Sequence, residues 1–331
     1  MGERTCPAVI FAGRDKIEIR NVILPDLEDE EILVRSLCTG ISVGTERWYL
    51  TGKMKGVDDR YPLIPGYMRV GIVEETGSQV DRVKPGERVY LGAWAMRLDP
   101  RDGLSGGGAH SAYAVAHQSR AIPVPDNVAS EEAAVAALAA VSQVGLSLTP
   151  ANAGDLVVVI GQGMVGQMSA QLTRLMGATV ITSDLIDLRV ELSRKHSADI
   201  AINPAREDLG SIVRERCADG ADVVIDTSGD SRLFGYDVEL LRKPGKLCLQ
   251  GYFPDPIHID FHDTHLKRTV VAFPWGFDPE GVERAFHLLG EKRLTISPLI
   301  THRIDSRDAI DAYHLLLKRP QEMLSVVLNW S

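Results

Sequence analysis

The chain has 331 residues, of which 44% are hydrophobic and 24% are charged, as expected of a globular protein with about two domains. Its net charge of −9 disfavours binding to nucleic acid or to an acidic membrane surface. No basic amino-terminal arm precedes an apolar segment and no apolar run could span a bilayer, so we expect a cytoplasmic protein. The four cysteines lack paired spacing, which argues against a disulfide framework and a four-cysteine zinc site.

The first part of the chain is predicted to be rich in strands. Short segments of alternating polar and apolar residues are separated by turns that contain Gly, Pro and Asp. The predicted strands are Ala8–Phe11, Ile17–Arg20, Glu31–Leu37, Val70–Glu75 and Arg88–Leu91. This spacing indicates a compact, partly antiparallel barrel or sandwich.

The pattern changes at Val128. Ser130, Glu131 and Glu132 are predicted to cap an alanine-rich helix from Ala133 to Leu148. Strands and helices alternate from there to the strand Thr269–Phe273, which predicts a doubly wound parallel sheet. The tail contains two predicted helices, near Pro279–Leu289 and at Ser306–Leu317, and an apolar strand, Ser325–Leu328, and we expect it to return to the first domain.

A glycine motif follows the first strand of the alternating region. The apolar run Leu156–Ile160 has the character of a strand buried on both faces, and it leads directly into Gly161-x-Gly163-x-x-Gly166. The first glycine permits the tight turn, the second lets backbone approach a pyrophosphate, and the third allows close helix packing. Met164 and Val165 begin the helix whose amino end would hold the phosphates.

The next strand, Thr179–Ser183, ends in Asp184, about twenty residues after the glycines. Asp184 would accept hydrogen bonds from the ribose hydroxyls and repel a 2′-phosphate, so the predicted cofactor is NAD. Arg189 could cover the adenine or balance Asp184, and alone it would favour NADP; a helix-surface arginine is the alternative. Thr227 and Gly251 follow later strands and complete the predicted cofactor site.

The order of these parts resembles the medium-chain dehydrogenase/reductase superfamily. The resemblance is carried by five segments, namely Gly40-Ile41-Ser42-Val43-Gly44-Thr45-Glu46, Pro65-Gly66-Tyr67, residues 83–89, residues 107–113 and the glycine motif. It implies an α/β protein with a GroES-like β-barrel catalytic domain, residues 1–127 and 290–331, and a Rossmann NAD-binding domain, residues 128–289. It also implies a homodimer, with the edge strand Thr269–Phe273 a candidate for pairing across subunits.

The metal ligands of the zinc-dependent branch of this superfamily are missing. Where that branch has Cys, His and Glu, this chain has Ser42, Tyr67 and Met68, and only alanine and leucine stand at 136–139, where the third ligand is expected. The segment 92–106 also lacks the closely spaced cysteines of the structural zinc lobe. Because zinc sites use Cys, His or carboxylate ligands, we predict that neither metal is bound.

Without a metal, a developing alkoxide needs another electrostatic partner and a proton donor or acceptor. Tyr67 is our first candidate, with the alternative that it only fills the space left by zinc. Thr45 stands where the family uses a hydroxyl to relay the substrate proton, and Trp48 replaces the histidine that would extend that relay. Glu46 either takes part directly in the chemistry or is structural and hydrogen-bonds to nearby backbone.

Five residues are predicted to line the substrate site, namely Ser42, Trp48, Trp94, His110 and Trp275. The tryptophans could form an aromatic wall for a ring or a sugar face, or they could belong to core and interface packing. His110 could equally be a loop or interface residue. On a strand, His258, Asp260 and His262 would share one face, but the family places this segment near the dimer contact, so we predict no metal there.

The Gly40–Glu46 and Tyr61–Tyr67 segments resemble the branch typified by bacteriochlorophyllide a 3-hydroxyethyl dehydrogenase, which oxidises a secondary alcohol to a ketone with NAD. We therefore predict a zinc-independent, NAD-dependent oxidoreductase that interconverts a secondary alcohol and a ketone. Its expected substrate is a small molecule, namely a specialised metabolite, a sugar-like compound or a ring-bearing compound. The alternatives are an enone or quinone reductase of the same fold and a non-catalytic NAD-binding protein.

Overall fold

The computed structural model describes residues 3–92 and 95–330. The chain divides into a first unit, Met1–Ala137 with Ile300–Ser331, and a second unit, Leu138–Leu299. The divisions at 137/138 and 299/300 lie ten residues beyond the predicted domain boundaries. Each helix within the described ranges is too short or too polar to cross a bilayer.

The strands are, in chain order, β1 Thr5–Gly13, β2 Lys16–Ile23, β3 Glu31–Ile41, β4 Arg69–Thr76, β5 Arg88–Leu91, β6 Tyr113–His117, β7 Ala121–Pro123, β8 Leu156–Ile160, β9 Thr179–Ser183, β10 Ile200–Ile202, β11 Ala221–Asp226, β12 Leu241–Leu249, β13 Val270–Ala272, β14 His302–Asp305 and β15 Val326–Asn329. The helices are α1 Val43–Leu50, α2 Ser130–Val135, α3 Ala137–Leu148, α4 Met164–Leu175, α5 Asp187–His196, α6 Leu209–Arg216, α7 Phe234–Leu240, α8 Phe261–Leu266, α9 Pro279–Gly290 and α10 Ala309–Lys318.

The first unit is built on a mostly antiparallel sheet. Six strands follow the order β14-β15-β3-β4-β5-β7, β6 also pairs with β3, and β1 and β2 form a separate antiparallel pair. The carboxyl-terminal strand β15 pairs antiparallel with β3, with Val326 opposite Ile41. The predicted return of the tail to the first domain is therefore confirmed.

The second unit contains a parallel sheet with the strand order β10-β9-β8-β11-β12-β13. This order starts from a central strand and extends to both sides, which is the Rossmann arrangement. All five residues of β8 are buried, as the apolar run predicts. The predicted α/β class and doubly wound sheet are confirmed, and the carboxyl ends of β8, β9, β11 and β12 lie at one edge of the sheet, where such folds bind ligands.

Two local predictions are wrong. The alanine-rich segment forms two helices that meet at Ala136, whose N–H donates to Ala133 three residues earlier in a tight final turn. Ser130 is the first residue of α2 and does not cap it, since its hydroxyl accepts a hydrogen bond from Arg88. The segment from His258 to His265 contains the start of α8, where Asp260 caps the helix by accepting from the Asp263 N–H, so His258, Asp260 and His262 do not share one face of a strand.

Candidate functional site

The turn after β8 is built so tightly that side chains would not fit at two of its glycines. Gly161 has φ +82°, a left-handed conformation, and a Cβ there would lie 2.9 Å from the backbone N of Ser228. A Cβ on Gly166 would lie 1.9 Å from the carbonyl oxygen of Gly161. A Cβ on Gly163 would meet nothing within 4 Å, so open space faces this residue at the amino end of α4.

Asp184 links the end of β9 to this turn. Its Oδ2 accepts a hydrogen bond of 2.7 Å from the Gln162 N–H, and its Oδ1 accepts one of 2.8 Å from the Ile186 N–H. The guanidinium of Arg189 lies 3.7 Å from Oδ2, so this arginine balances the charge of Asp184. Each carboxylate oxygen has a further lone pair, which leaves capacity to bind a ribose hydroxyl.

The turns that follow β11 and β12 meet the glycine turn. The hydroxyl of Thr227 donates to the Gly161 carbonyl at 2.8 Å, and the Gly251 N–H donates to the Asp226 carbonyl at 3.0 Å. Met164 is buried and Val165 is half-buried at the start of α4. The second unit thus brings together every residue of the predicted cofactor site.

In the first unit, three hydroxyl groups gather at the amino end of α1. The Tyr67 hydroxyl donates a hydrogen bond of 2.7 Å to the Ser42 hydroxyl, and the Thr45 side chain is also hydrogen-bonded to it. Burial raises the pKa of Tyr67 to about 12, although the bonds to Ser42 and Thr45 act in the opposite direction. The phenol is therefore protonated at neutral pH and can act as a hydrogen-bond donor. We call Ser42, Thr45 and Tyr67 the hydroxyl cluster.

Glu46 is buried beneath the hydroxyl cluster and is held by three donors. Its Oε1 accepts from the Ser42 N–H at 2.8 Å, and its Oε2 accepts from the Tyr313 hydroxyl and from His110 Nε2, which lies at 3.1 Å. Only 2% of Glu46 is exposed. This environment favours the structural alternative for Glu46, because its carboxylate orders the start of α1.

His110, which is predicted to line the substrate site, is buried inside the first unit. The side chain is 0% exposed, and both ring nitrogens are engaged, with Nδ1 lying 2.7 Å from the Thr39 hydroxyl. Thr39 also accepts from the Trp330 indole at 3.0 Å. His110 therefore joins β3 to α1 inside the first unit. We call Thr39, Glu46, His110, Tyr313 and Trp330 the buried network.

A buried arginine holds the segment that carries His110. Arg69 is 1% exposed, and its guanidinium donates to the carbonyl of Ala109 at 2.6 Å and to the hydroxyl of Ser111 at 2.6 Å. Burial lowers the pKa of Arg69 to about 10. Sequence reasoning did not identify Arg69, Thr39, Tyr313 or Trp330; an arginine inside the apolar start of β4 is the one signal that could have been noticed.

The residues at the catalytic zinc positions do not fit zinc. Two oxygen ligands on a tetrahedral zinc at about 2.0 Å would be about 3.3 Å apart, whereas the hydroxyls of Tyr67 and Ser42 are bonded directly at 2.7 Å. Met68 and Ala137 are both 0% exposed and offer no nitrogen, thiolate or carboxylate ligand. Among the described residues, no group of three or more His, Cys, Asp and Glu side chains is arranged to hold a metal ion.

The predicted aromatic wall is described only in part. Trp48 is half-buried in α1, and the Lys53 ammonium and the Arg47 guanidinium lie 5.3 and 5.8 Å from its ring centroid. Trp275, in the second unit, is 81% exposed. Trp94 lies outside the described residues.

Comparison with known proteins matches a segment of each unit to a known domain family. Residues 28–126 match the model of the alcohol dehydrogenase GroES-like domain, and residues 164–291 match that of zinc-binding dehydrogenases. The chain belongs to the medium-chain alcohol dehydrogenase family of the zinc-binding type. It is therefore an oxidoreductase by family, and the predicted GroES-like and Rossmann parts are confirmed.

Relatives within this family match nearly the whole chain. The 2-desacetyl-2-hydroxyethyl bacteriochlorophyllide A dehydrogenase of Cereibacter sphaeroides is 28% identical over 332 residues, which cover 98% of each chain. A dehydrogenase of Sinorhizobium meliloti solved with NADP has a TM-score of 0.86 at 23% identity, covering 99% of this chain and 100% of its own. An Escherichia coli alcohol dehydrogenase solved with NADH has a TM-score of 0.86 at 22% identity, with the same coverage. Both structures show the shared fold.

Proposed function

We propose that this protein is a zinc-independent, NAD-dependent dehydrogenase that interconverts a secondary alcohol and a ketone. The observation that carries the proposal is the hydroxyl cluster, in which Tyr67 and Ser42 bond to each other where the zinc-dependent branch has metal ligands. The match to dehydrogenase models over both units supports the reaction class. The chain's own polar groups must therefore serve the oxygen of the substrate.

Bound NAD supplies the hydride acceptor in alcohol oxidation, and NADH supplies the hydride donor in ketone reduction. The residues of this chain handle binding and the proton. The glycine turn and the amino end of α4 would hold the pyrophosphate, because their N–H groups and the helix dipole favour anions. Asp184 would accept from the ribose hydroxyls.

The proton step falls to the hydroxyl cluster. In reduction, the protonated phenol of Tyr67 donates to the carbonyl oxygen as negative charge develops on it, and Ser42 and Thr45 stabilise the phenolate that remains. In oxidation, the same groups receive the proton of the alcohol. Because burial raises the pKa of Tyr67 to about 12, the phenol is protonated at neutral pH, which is the state that a general acid in ketone reduction requires.

The choice of NAD rests on Asp184, whose charge lies where a 2′-phosphate would have to bind. Among solved relatives of this fold, one is bound to NADP and another to NADH, so the fold alone does not decide the cofactor. We expect fluorescence titration to give tighter binding of NADH than of NADPH. Tighter binding of NADPH would overturn the choice of NAD and favour the enone reductase alternative.

The hydroxyl cluster is tested by Tyr67→Phe, which removes the proton donor and leaves the ring. General acid–base groups contribute about 10²–10⁴-fold to rate, so we expect turnover to fall by at least about a hundredfold with NADH affinity unchanged. Tyr113→Phe is the matched control, because Tyr113 is a half-buried tyrosine of the same unit outside the cluster. The assay uses a panel of secondary alcohols and ketones that covers sugars, polyketides and tetrapyrroles.

Two outcomes would contradict this proposal. Unchanged turnover of the Tyr67→Phe variant would make Tyr67 a filler of space. One equivalent of zinc per active chain, measured by elemental analysis and lost together with activity on chelation, would overturn the metal-free site.

We also propose that the protein is a homodimer formed through β13. This strand lies at one edge of the parallel sheet, and among the described residues no strand pairs with its outer side, which can add a strand from a second copy. The apolar side chains on and after it are exposed, with Val270 at 58%, Phe273 at 61% and Trp275 at 81%. Apolar surface of this kind on an edge strand favours association of two subunits.

A further inference from the structure

Two carboxyl groups are buried together in the second unit. They belong to Asp226, the last residue of β11, and to Asp237 of α7, and both residues are 0% exposed. Asp226 Oδ1 accepts a hydrogen bond of 2.6 Å from the Ser228 N–H. Asp226 Oδ2 and both oxygens of Asp237 have no partner among the described residues. We call these two residues the acid pair.

A proton held between the two carboxyl groups satisfies Asp226 Oδ2 and one oxygen of Asp237. Buried polar atoms without a partner are rare, and two adjacent carboxylates in a low-dielectric interior do not both remain ionised at neutral pH. Burial, together with the charge of Asp226, raises the pKa of Asp237 to about 9, and burial also raises the pKa of Asp226. A protonated Asp237 donates its O–H to the carboxylate of Asp226.

The charged groups around the acid pair do not neutralise it. Asp230, at the start of the turn that leads into α7, adds negative charge that raises the pKa of both acids, and its own carboxylate is paired with Arg232. Glu239, on α7 itself, is exposed. Three basic side chains of neighbouring elements have other partners, namely Arg242 with Asp222, Lys246 with the Pro150 carbonyl and Arg174 with Asp199. The Lys267 ammonium donates to the carbonyls of Val238, Glu239 and Leu241 at the end of α7.

Asp226 is the point at which the turns of the cofactor site are joined. Its carbonyl accepts from the Gln250 and Gly251 N–H groups at 2.8 and 3.0 Å, and its carboxylate holds the Ser228 N–H. Thr227, which lies between Asp226 and Ser228, donates a hydrogen bond from its hydroxyl to the carbonyl of Gly161 in the glycine turn. A shift of the Asp226 side chain would therefore be transmitted to the turns after β8, β11 and β12.

We propose that Asp237 is a positioning residue for the cofactor, which keeps Asp226 in place by sharing a proton with it and releases the cofactor turns when that proton is lost at alkaline pH. This role rests on the proposed binding of NAD. The step is a proton equilibrium, in which the proton leaves the acid pair for solvent. Both carboxyl groups then carry charge, and their repulsion moves Asp226 away from the Ser228 N–H.

The test measures the Kd for NADH by fluorescence between pH 6.5 and 10 in three proteins. For the wild type we expect a constant Kd for NADH up to about pH 8. Above the pKa of the acid pair, the Kd should rise with a slope that approaches about tenfold per pH unit. Asp237→Asn keeps a permanent N–H donor toward Asp226, so its Kd should match the wild type at pH 7 and stay constant to pH 10. Glu239→Gln, an exposed change on the same helix, should keep the slope of the wild type.

A second measurement detects the shared proton itself in the ligand-free protein. A protonated buried carboxyl gives an infrared C=O stretch at pH 7, which should be lost above pH 10 and absent in Asp237→Asn. Asp226→Asn replaces Asp237→Asn in the titration if the latter does not fold. It also removes the repulsion between the two carboxylates, so its Kd for NADH should stay constant with pH.

The possible results separate this role from the proposed function. If the wild type binds NADH with a Kd that does not change with pH, or if Asp237→Asn keeps the slope of the wild type, the role of Asp237 is refuted while NAD binding stands. If the wild type does not bind NADH at pH 7, both proposals fail, and the infrared band still decides whether the proton is shared.

Discussion

The hydrogen bond between Tyr67 and Ser42 determines which chemistry is possible at the amino end of α1. A serine or a tyrosine alone at a former metal position could still contact an ion through water. Two hydroxyls bonded at 2.7 Å, with Thr45 as a further partner, already satisfy each other, and a cation placed between them would have to break that bond. In the proposed reaction, this cluster donates a proton to the substrate oxygen that the zinc-dependent branch polarises with a metal.

The glycines of the turn after β8 differ in what a methyl group would meet, and this difference gives a prediction. Gly166→Ala forces Cβ against the carbonyl of Gly161, so we expect the free energy of unfolding to fall by about 1–3 kcal/mol. Gly163→Ala meets nothing in the protein, so its stability should stay within about 0.5 kcal/mol of the wild type. Its NADH affinity should nevertheless fall at least tenfold, because the methyl group occupies the space of the pyrophosphate.

Urea denaturation and NADH titration of the two glycine variants check this prediction. Equal losses of stability would show that Gly163 is also packed against protein. Unchanged NADH affinity of the Gly163→Ala variant would place the pyrophosphate elsewhere.

At the scale of elements, the buried network decides where α1 begins. It joins β3 through Thr39, α1 through Glu46 and α10 through Tyr313, and Trp330 connects the residues after β15 to the same group. Glu46 connects this network to the hydroxyl cluster, because its Oε1 accepts a hydrogen bond from the Ser42 N–H. The geometry of the candidate catalytic groups therefore depends on the carboxyl-terminal tail of the chain.

Tyr313→Phe tests this dependence. The substitution removes one of the three donors to a buried carboxylate, and hydrogen bonds to charged groups contribute about 1.5–3 kcal/mol, so we expect the free energy of unfolding to fall by that amount. Turnover should fall because Ser42 loses its fixed position, while NADH affinity should stay unchanged. Tyr113→Phe should change the free energy of unfolding by less than about 0.5 kcal/mol. A Tyr313→Phe variant as stable as this control would show that the bond contributes nothing.

At the scale of the whole molecule, β13 is one of the two edge strands of the parallel sheet, and β10 is the other. β13 pairs on one side with β12, in register at Lys246 opposite Val270, and no strand within residues 3–92 and 95–330 pairs with its other side. Soluble proteins protect such edges with charge, with short strands or with a partner. The exposed side chains at this edge are apolar and not charged, so we expect a partner chain to protect it.

Val270→Lys is expected to dissociate the proposed dimer. Sedimentation velocity should give a dimer for the wild type and a monomer for this variant, because lysine on an edge strand opposes strand pairing between chains. Leu148→Lys is the control, since Leu148 is 52% exposed at the end of α3 in the same unit, and it should leave the dimer intact. A wild type that sediments as a monomer would refute the dimer, and a dimeric Val270→Lys protein would place the interface elsewhere.

Much of the fold could be predicted because it depends on neighbouring residues. The apolar run of β8, its glycine turn and the acid at the end of β9 lie within thirty residues, and each follows from periodicity or turn chemistry that acts locally. The same holds for Ser42, Thr45 and Tyr67, whose positions in two short motifs predict that they serve one site. Where local preference competed with packing, as at the break in the alanine-rich helix, the prediction was wrong.

The partners of buried polar groups were decided only by tertiary structure. Glu46 bonds to a tyrosine 267 residues away, and Trp330 bonds to a threonine 291 residues away. No periodicity connects such residues, because burial and the need to satisfy every polar atom act after distant segments have packed. The sequence alone therefore determined a dehydrogenase fold with a dinucleotide turn and without zinc ligands. Packing decided that Glu46 and His110 are buried in one hydrogen-bond network and that Asp226 and Asp237 are buried together.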